Sequence, residues 1–219
     1  MSQQKIIAAC TLILAAISFW FAWFLMPDPG TTDTSHILKM VKISRIPVLV
    51  SVIVQIISSV FYIVALFLLA RILSKQKTST VVGLILLGIG AMGLCADAFF
   101  HLLAFFMTDD SINIQQDVVR VMTFMQTTGI VFLIPLLLPL FIGSLVLAIG
   151  MKKQSVISGK PTFIFVLAFC VGIIGAIIVN RIMGYQNQIV SLISLGLFAI
   201  GQIWIAFELN RPKIIVVAK

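Results

Sequence analysis

Long runs of apolar residues, separated by short polar segments, follow one another along the whole chain. Six runs are long enough to cross a hydrocarbon core of ~30 Å, which takes roughly 20 helical residues. They lie near 6–26, 47–73, 80–107, 118–150, 162–183 and 188–208. The pattern predicts an all-α polytopic membrane protein, with six transmembrane helices that form a single domain over residues 1–219.

The segment between the first two runs, residues 27–46, is the longest connection. It opens with the turn-forming sequence PDPG and continues with Thr, Asp and Ser residues that are typical helix N-caps. The residues that follow mix apolar side chains with Lys39 and Lys42. We therefore expect a short amphipathic outer helix from about Ser35 to Arg45, lying in the interface or capping the bundle.

The composition agrees with a bilayer as the solvent. Of all residues, 61% are hydrophobic and 10% are charged, and the mean hydropathy is +1.19. Cys10, Cys95 and Cys170 lie in apolar runs without metal-ligand spacing, which disfavours a disulfide framework or a cysteine zinc site. The net charge of +8 comes from scattered single residues rather than a basic stripe, so nucleic acid is not expected as a partner.

The positions of Lys and Arg predict the orientation. Ten of the 15 lie at one side, in the N-terminal segment, the second and fourth connections and the C-terminal segment. The other five are Lys39, Lys42, Arg45, Arg120 and Arg181. The positive-inside rule then places both termini in the cytoplasm and the chain in the cytoplasmic (inner) membrane.

Two ionisable residues interrupt the third apolar run. Asp97 and His101 are four residues apart, so they lie on the same face of a helix. If that helix leaves the membrane near Met107, His101 lies ~9 Å and Asp97 ~15 Å below the outer boundary. A membrane-buried acid costs about 2.5–3.5 kcal/mol on insertion scales, so Asp97 is expected to face the bundle and hold a partner.

Polar residues on the neighbouring runs can reach this pair. The second run carries Ser51, Gln55, Ser58 and Tyr62 at helical spacing, and the fourth carries Arg120, Thr123 and Thr127 with Gln126 beside them. If both stripes face the third helix, they form an outward-opening polar pocket. The expected site for a ligand or proton consists of Asp97, His101, Gln55, Tyr62, Arg120 and Gln126.

A structural interpretation competes with this one. Ser and Thr are common at packed membrane interfaces, and a hydrogen bond from Asp97 to Gln55 or Tyr62 can simply hold two helices together. Arg120 and Arg181 lie close enough to the outer boundary to extend their guanidinium groups into water. On this interpretation the polar residues build no cavity.

A metal site is a further possibility. Both histidines belong to the outer half, together with several aspartates and methionines, and this ligand set suits copper or another transition metal better than magnesium. The candidate ligands are Asp97, His101 and His36. No cofactor is otherwise indicated, and a bis-histidine haem is disfavoured because it requires His36 to fold in beside His101.

Three functions follow from these patterns. The first is binding or translocation of a cation or small polar ligand at the Asp97 site. The second is an accessory subunit of a larger membrane complex, and the third is a metal-dependent membrane enzyme acting on a lipid or other apolar substrate. The expected partners are the lipid bilayer and either other membrane proteins or further copies of the chain in a homo-oligomer. Hydrolase, P-loop and dinucleotide-binding motifs are absent from the sequence.

Overall fold

The structure, a computed structural model, describes residues 3–27, 33–73, 77–112, 115–175, 177–179 and 188–211. Within these ranges the regular structure is entirely helical. The α-helices are α1 (Gln3–Leu25), α2 (Thr34–Ile43), α3 (Arg45–Ile72), α4 (Thr78–Met107), α5 (Gln115–Phe124), α6 (Ile130–Lys153), α7 (Lys160–Cys170) and α8 (Gln188–Asn210). A π-helical turn, Met125–Gly129, joins α5 to α6, and a second, Val171–Gly175, follows α7.

Six stretches of helix are long and apolar enough to span a membrane, as the apolar runs predicted. They are Gln3–Leu25, Arg45–Ile72, Thr78–Met107, Gln116–Lys153, Lys160–Val179 and Gln188–Asn210. The all-α polytopic prediction is therefore confirmed. The end of the predicted fifth run, with Arg181, lies outside the described residues.

The spans pack side by side in an order that differs from their order in the chain. Contacts lead from α6 to α4, then to α3, α1, α8 and α7, and α7 touches α6 again. The main apolar core lies along the middle of this arrangement and includes the fully buried Phe19, Leu87, Leu140, Phe165 and Phe198. One consequence is that α3 has α1 on one side and α4 on the other, so its polar face can reach both.

The short helix predicted in the first connection is present and closes one end of the bundle, here called the α2 end. Asp33 caps α2, because its carboxylate accepts hydrogen bonds from the amides of Ser35 and His36 at 3.0 and 3.2 Å. Leu38 and Val41 are buried in a second apolar cluster. The other buried members of this α2-end cluster are Val48, Ala104, Met107, Met122 and Met125.

Ion pairs attach α2 and the start of α3 to the connection after α4. Arg45 contacts the Asp109 carboxylate at 3.1 Å, and its guanidinium lies 4.3 Å from the centre of the Phe105 ring. The hydroxyl and amide of Ser111, with Arg45 adding to them, hold the pKa of Asp109 below its usual value. Lys42 pairs with Asp110 at 2.8 Å. These surface pairs orient the connection rather than stabilise it strongly.

Helices α4 and α6 approach each other through glycines. A Cβ atom added at Gly83 would lie 2.5 Å from the backbone nitrogen of Leu147, and one at Gly143 would lie 2.6 Å from that of Leu87. Near the other end of the interface, Gly129 lies against the Phe100 ring. Small residues let two helix backbones approach closely where lipid supplies no hydrophobic drive. The contacts fix the antiparallel register of the two helices.

We expect Gly83→Ala to destabilise the protein by about 1–3 kcal/mol, because the new methyl group overlaps backbone atoms that cannot move aside. Gly88→Ala is the matched control on the same helix, since its Cβ would meet only the flexible Leu66 side chain, at 3.8 Å. The control should be neutral or stabilise by roughly 0.5 kcal/mol. Unfolding titrations in mixed micelles measure both variants, and equal effects would contradict the register described here.

Candidate functional site

Asp97, His101 and Gln55 meet between α3 and α4. The Gln55 side-chain amide donates a hydrogen bond to Asp97 Oδ2 at 2.6 Å. Its carbonyl oxygen lies 3.3 Å from His101 Nδ1, which in turn lies 3.8 Å from Asp97 Oδ2. Since an amide oxygen only accepts hydrogen bonds, this contact favours a proton on His101 Nδ1. One glutamine therefore holds both ionisable side chains.

The surroundings of this triad are apolar and closed. Asp97 is only 4% exposed, and the side chain of His101 is 19% exposed. The Trp23 indole meets the His101 ring edge-on, with 5.8 Å between the ring centres. The triad lies between the main core and the α2-end cluster. The predicted outward-opening pocket is therefore not what surrounds Asp97, because α2 and its apolar contacts lie over that end of the bundle.

The charges of the triad lie in surroundings of low polarity. A buried carboxylate and imidazole interact more strongly than they would in water, and either one alone is costly to charge. Movement of one proton from His101 Nδ1 to Asp97 Oδ2 converts an ion pair into two neutral groups. A direct transfer requires His101 Nδ1 and Asp97 Oδ2 to approach from 3.8 Å to hydrogen-bond distance. The arrangement is thus suited to hold one proton at either of two positions.

Tyr62 is buried but belongs to a different polar cluster. Its hydroxyl donates to Gln202 Oε1 on α8, and the Gln202 amide donates to Ser144 Oγ on α6 at 3.0 Å. Tyr62 is seven residues from Gln55, which is about 10 Å along a helix. The expectation that Tyr62 joins Asp97 in one pocket is corrected, because two separate polar clusters occur on α3.

The structure does not bring Arg120 to the triad. The span Gln116–Lys153 has 38 residues, which is about 57 Å of helix against a ~30 Å core. In the antiparallel register set by the glycines, the first turns of α5 extend past Met107, where α4 ends. Arg120 lies in this extension and is exposed.

The polar stripe around Thr123 and Thr127 also faces away from α4. Both residues are exposed, and their hydroxyls bond to carbonyls of their own helix, Val119 and Thr123, at 2.8 Å. Gln126 is half-buried within the π-turn. The buried face of this stretch is instead carried by Met122 and Met125, which join the α2-end cluster.

Three serines on α3 make contacts of the kind that hold helices together. Ser51 and Ser58 donate to the carbonyls of Ala22 and Ala15 on α1, at 2.7 and 2.8 Å. Ser59 donates to Ala91 on α4 at 2.6 Å. The structural interpretation therefore describes these serines well.

The metal ligand set is not assembled in the described part of the chain. No three His, Cys, Asp or Glu side chains come together there in a way that could hold an ion. His36 lies half-buried near the start of α2. A bound metal remains a prediction that needs its own measurement.

Sequence reasoning missed a polar cluster on α8. The Glu208 carboxylate accepts hydrogen bonds from the amide and hydroxyl of Ser158, the latter at 2.5 Å, and from the Trp204 indole at 2.8 Å. Lys160 lies over the Trp204 ring, 5.6 Å from its centre. Polar residues inside the last apolar run, Gln202 and Glu208, were the available signal.

A comparison with known proteins finds no match to any family model, curated protein or solved structure.

Proposed function

We propose that this membrane protein binds or translocates a cation at the site formed by Asp97, His101 and Gln55, and that the cation is a proton. The observation that carries the proposal is the enclosed carboxylate, held by Gln55 and lying 3.8 Å from an imidazole nitrogen. Ionisable residues within membrane spans are rare, and most mark ion or proton pathways.

Burial favours a proton over a larger polar ligand. An acid that is 4% exposed leaves no room for a hydrated metal ion or a small metabolite, whereas a proton needs no cavity. An imidazole can both donate and accept a proton at its ring nitrogens, so His101 is the natural partner for a proton exchange with Asp97. Gln55 holds the two groups with the proton on His101 Nδ1, since its carbonyl oxygen accepts from that nitrogen and its amide donates to the Asp97 carboxylate.

The test compares proton flux in lipid vesicles that contain a pH-sensitive dye and carry an imposed potassium diffusion potential. Asp97→Asn and His101→Gln keep size and hydrogen bonding but remove the ionisable group. We expect both variants to fold and to lose flux to the level of protein-free vesicles. Tyr62→Phe is the matched control, because it removes a buried hydroxyl from the other polar cluster and should leave the flux unchanged.

Two outcomes would contradict the proposal. If Asp97→Asn retains full flux, the residue only holds helices together, and the interpretation as a supporting subunit moves ahead. If the wild-type protein gives no flux, the proposal that it translocates protons is wrong. Infrared spectra recorded over a series of pH values then decide whether the site binds a proton at all, since protonation of Asp97 changes its carboxyl band.

We further propose that both termini lie in the cytoplasm and that the α2 end faces outward. The ten-to-five distribution of Lys and Arg supports this orientation. In a variant without the native cysteines, a cysteine at position 116 should react with a membrane-impermeant maleimide from outside. One at position 153 should react only after the membrane is opened. Both positions are exposed, and the reverse pattern would invert the proposed direction of the site.

A further inference from the structure

A cleft of about 430 Å³ lies beside the triad at membrane depth, between α1, α6, α8 and the segment formed by α7 and its π-turn. Its lining is largely apolar and aromatic and includes Trp23, Phe141, Phe169 and Phe198. Ile173, which is 61% exposed, lies at its mouth, so the cleft opens toward the surrounding lipid. Its size falls within the range of small-molecule sites, about 300–1,000 Å³.

One wall of the cleft carries an unpaired hydrogen-bond donor. The indole N–H of Trp23 is buried and has no hydrogen-bond partner among the described residues. By contrast, the hydroxyl of Ser194, another lining residue, donates to the Ala168 carbonyl at 2.8 Å. A buried N–H group without an acceptor is unfavourable, and lipid tails offer no acceptor. A ligand that brings an acceptor to Trp23 removes that cost.

We propose that this cleft binds a neutral, lipid-soluble molecule that carries an aromatic ring and a carbonyl group. The carbonyl oxygen accepts the hydrogen bond from Trp23 Nε1. The ring packs among the phenylalanines, which favour planar partners, and an apolar tail leaves past Ile173 into the lipid. This binding site is separate from the proton site, although Trp23 touches both the cleft and His101.

The experiment measures equilibrium binding of labelled phenyl nonyl ketone to the full chain in lipid nanodiscs, with empty nanodiscs as background. Decylbenzene is the matched probe, because it differs only in having a CH₂ group where the ketone has its carbonyl. We expect the ketone to bind about tenfold more tightly, the value of one net hydrogen bond. Trp23→Phe should abolish this difference by weakening only the ketone.

Control variants show whether the preference for the ketone depends on Trp23 and whether both probes bind in the cleft. Trp20→Phe should change neither affinity, because the Trp20 indole already donates to the Leu192 carbonyl at 3.2 Å. Ser191→Phe, which narrows the cleft, should weaken both probes. Equal affinity of the two probes for the wild-type protein overturns the proposal even if Trp23→Phe fails to fold, and the cleft is then only a groove for lipid tails. Asp97→Asn should bind both probes normally, so failure of the proton proposal leaves this one standing.

Discussion

Replacing Gln55 by leucine is expected to destabilise the protein by about 2–4 kcal/mol, because it leaves two buried polar side chains without their hydrogen-bond partner. Asp97 would lose the donor at 2.6 Å and His101 the acceptor at 3.3 Å. Unfolding titrations in mixed micelles measure the change. Ser59→Ala is the control on the same helix, because it removes a single bond to the Ala91 carbonyl and should cost about 1 kcal/mol.

A double-mutant cycle separates the triad from a simple loss of packing. In Gln55→Leu with Asp97→Leu, both buried polar groups are replaced by apolar ones, so the double variant should be more stable than the sum of the single changes implies. The recovery should be partial, because His101 remains without either partner. Strict additivity would show that Gln55 and Asp97 do not interact.

Glu208→Leu is expected to destabilise the protein by about 2–3 kcal/mol, since it removes the acceptor for three hydrogen bonds at the end opposite α2. The connection between α6 and α7 should then detach from α8, which protease cleavage near Ser155 detects. Ser155 is exposed and adopts a left-handed backbone conformation with φ of 55°.

The matched variant for this cluster is Trp204→Phe, which removes only the indole donor and keeps the carboxylate bonded to Ser158. It should cost about 1 kcal/mol and leave the connection resistant to protease. If both variants unfold equally, the ring packing of Trp204, rather than the Glu208 carboxylate, holds this end together.

The triad and the Glu208 cluster have different consequences for function. At the α2 end, an acid and an imidazole face each other inside apolar walls, which is a state that a proton can change. At the other end, the Glu208 carboxylate accepts hydrogen bonds from Ser158 in the connection between α6 and α7. These bonds anchor the connection to α8. The same residue type thus has a proposed functional role at Asp97 and a structural one at Glu208.

The features that could be predicted from the sequence are those that depend only on residues close together in the chain. The length and apolarity of a span depend only on consecutive residues, so the six spans and the helix after Asp33 follow from the chain itself. The shared face of Asp97 and His101 follows from α-helical geometry in the same way. Gln55 was among the candidate partners for Asp97 because its helix was expected to lie beside α4.

Only the tertiary structure decided which polar groups meet. The direction of a side chain around its helix axis depends on the register between helices, which glycines such as Gly83 and Gly143 fix through backbone contact. Adjacent residues point about 100° apart around a helix, so Thr123 is exposed where its neighbour Met122 is buried. Tyr62 pairs with Gln202, 140 residues along the chain, so no local pattern indicates that contact. Hydropathy along the chain therefore determined the spans, whereas packing between distant segments determined the site.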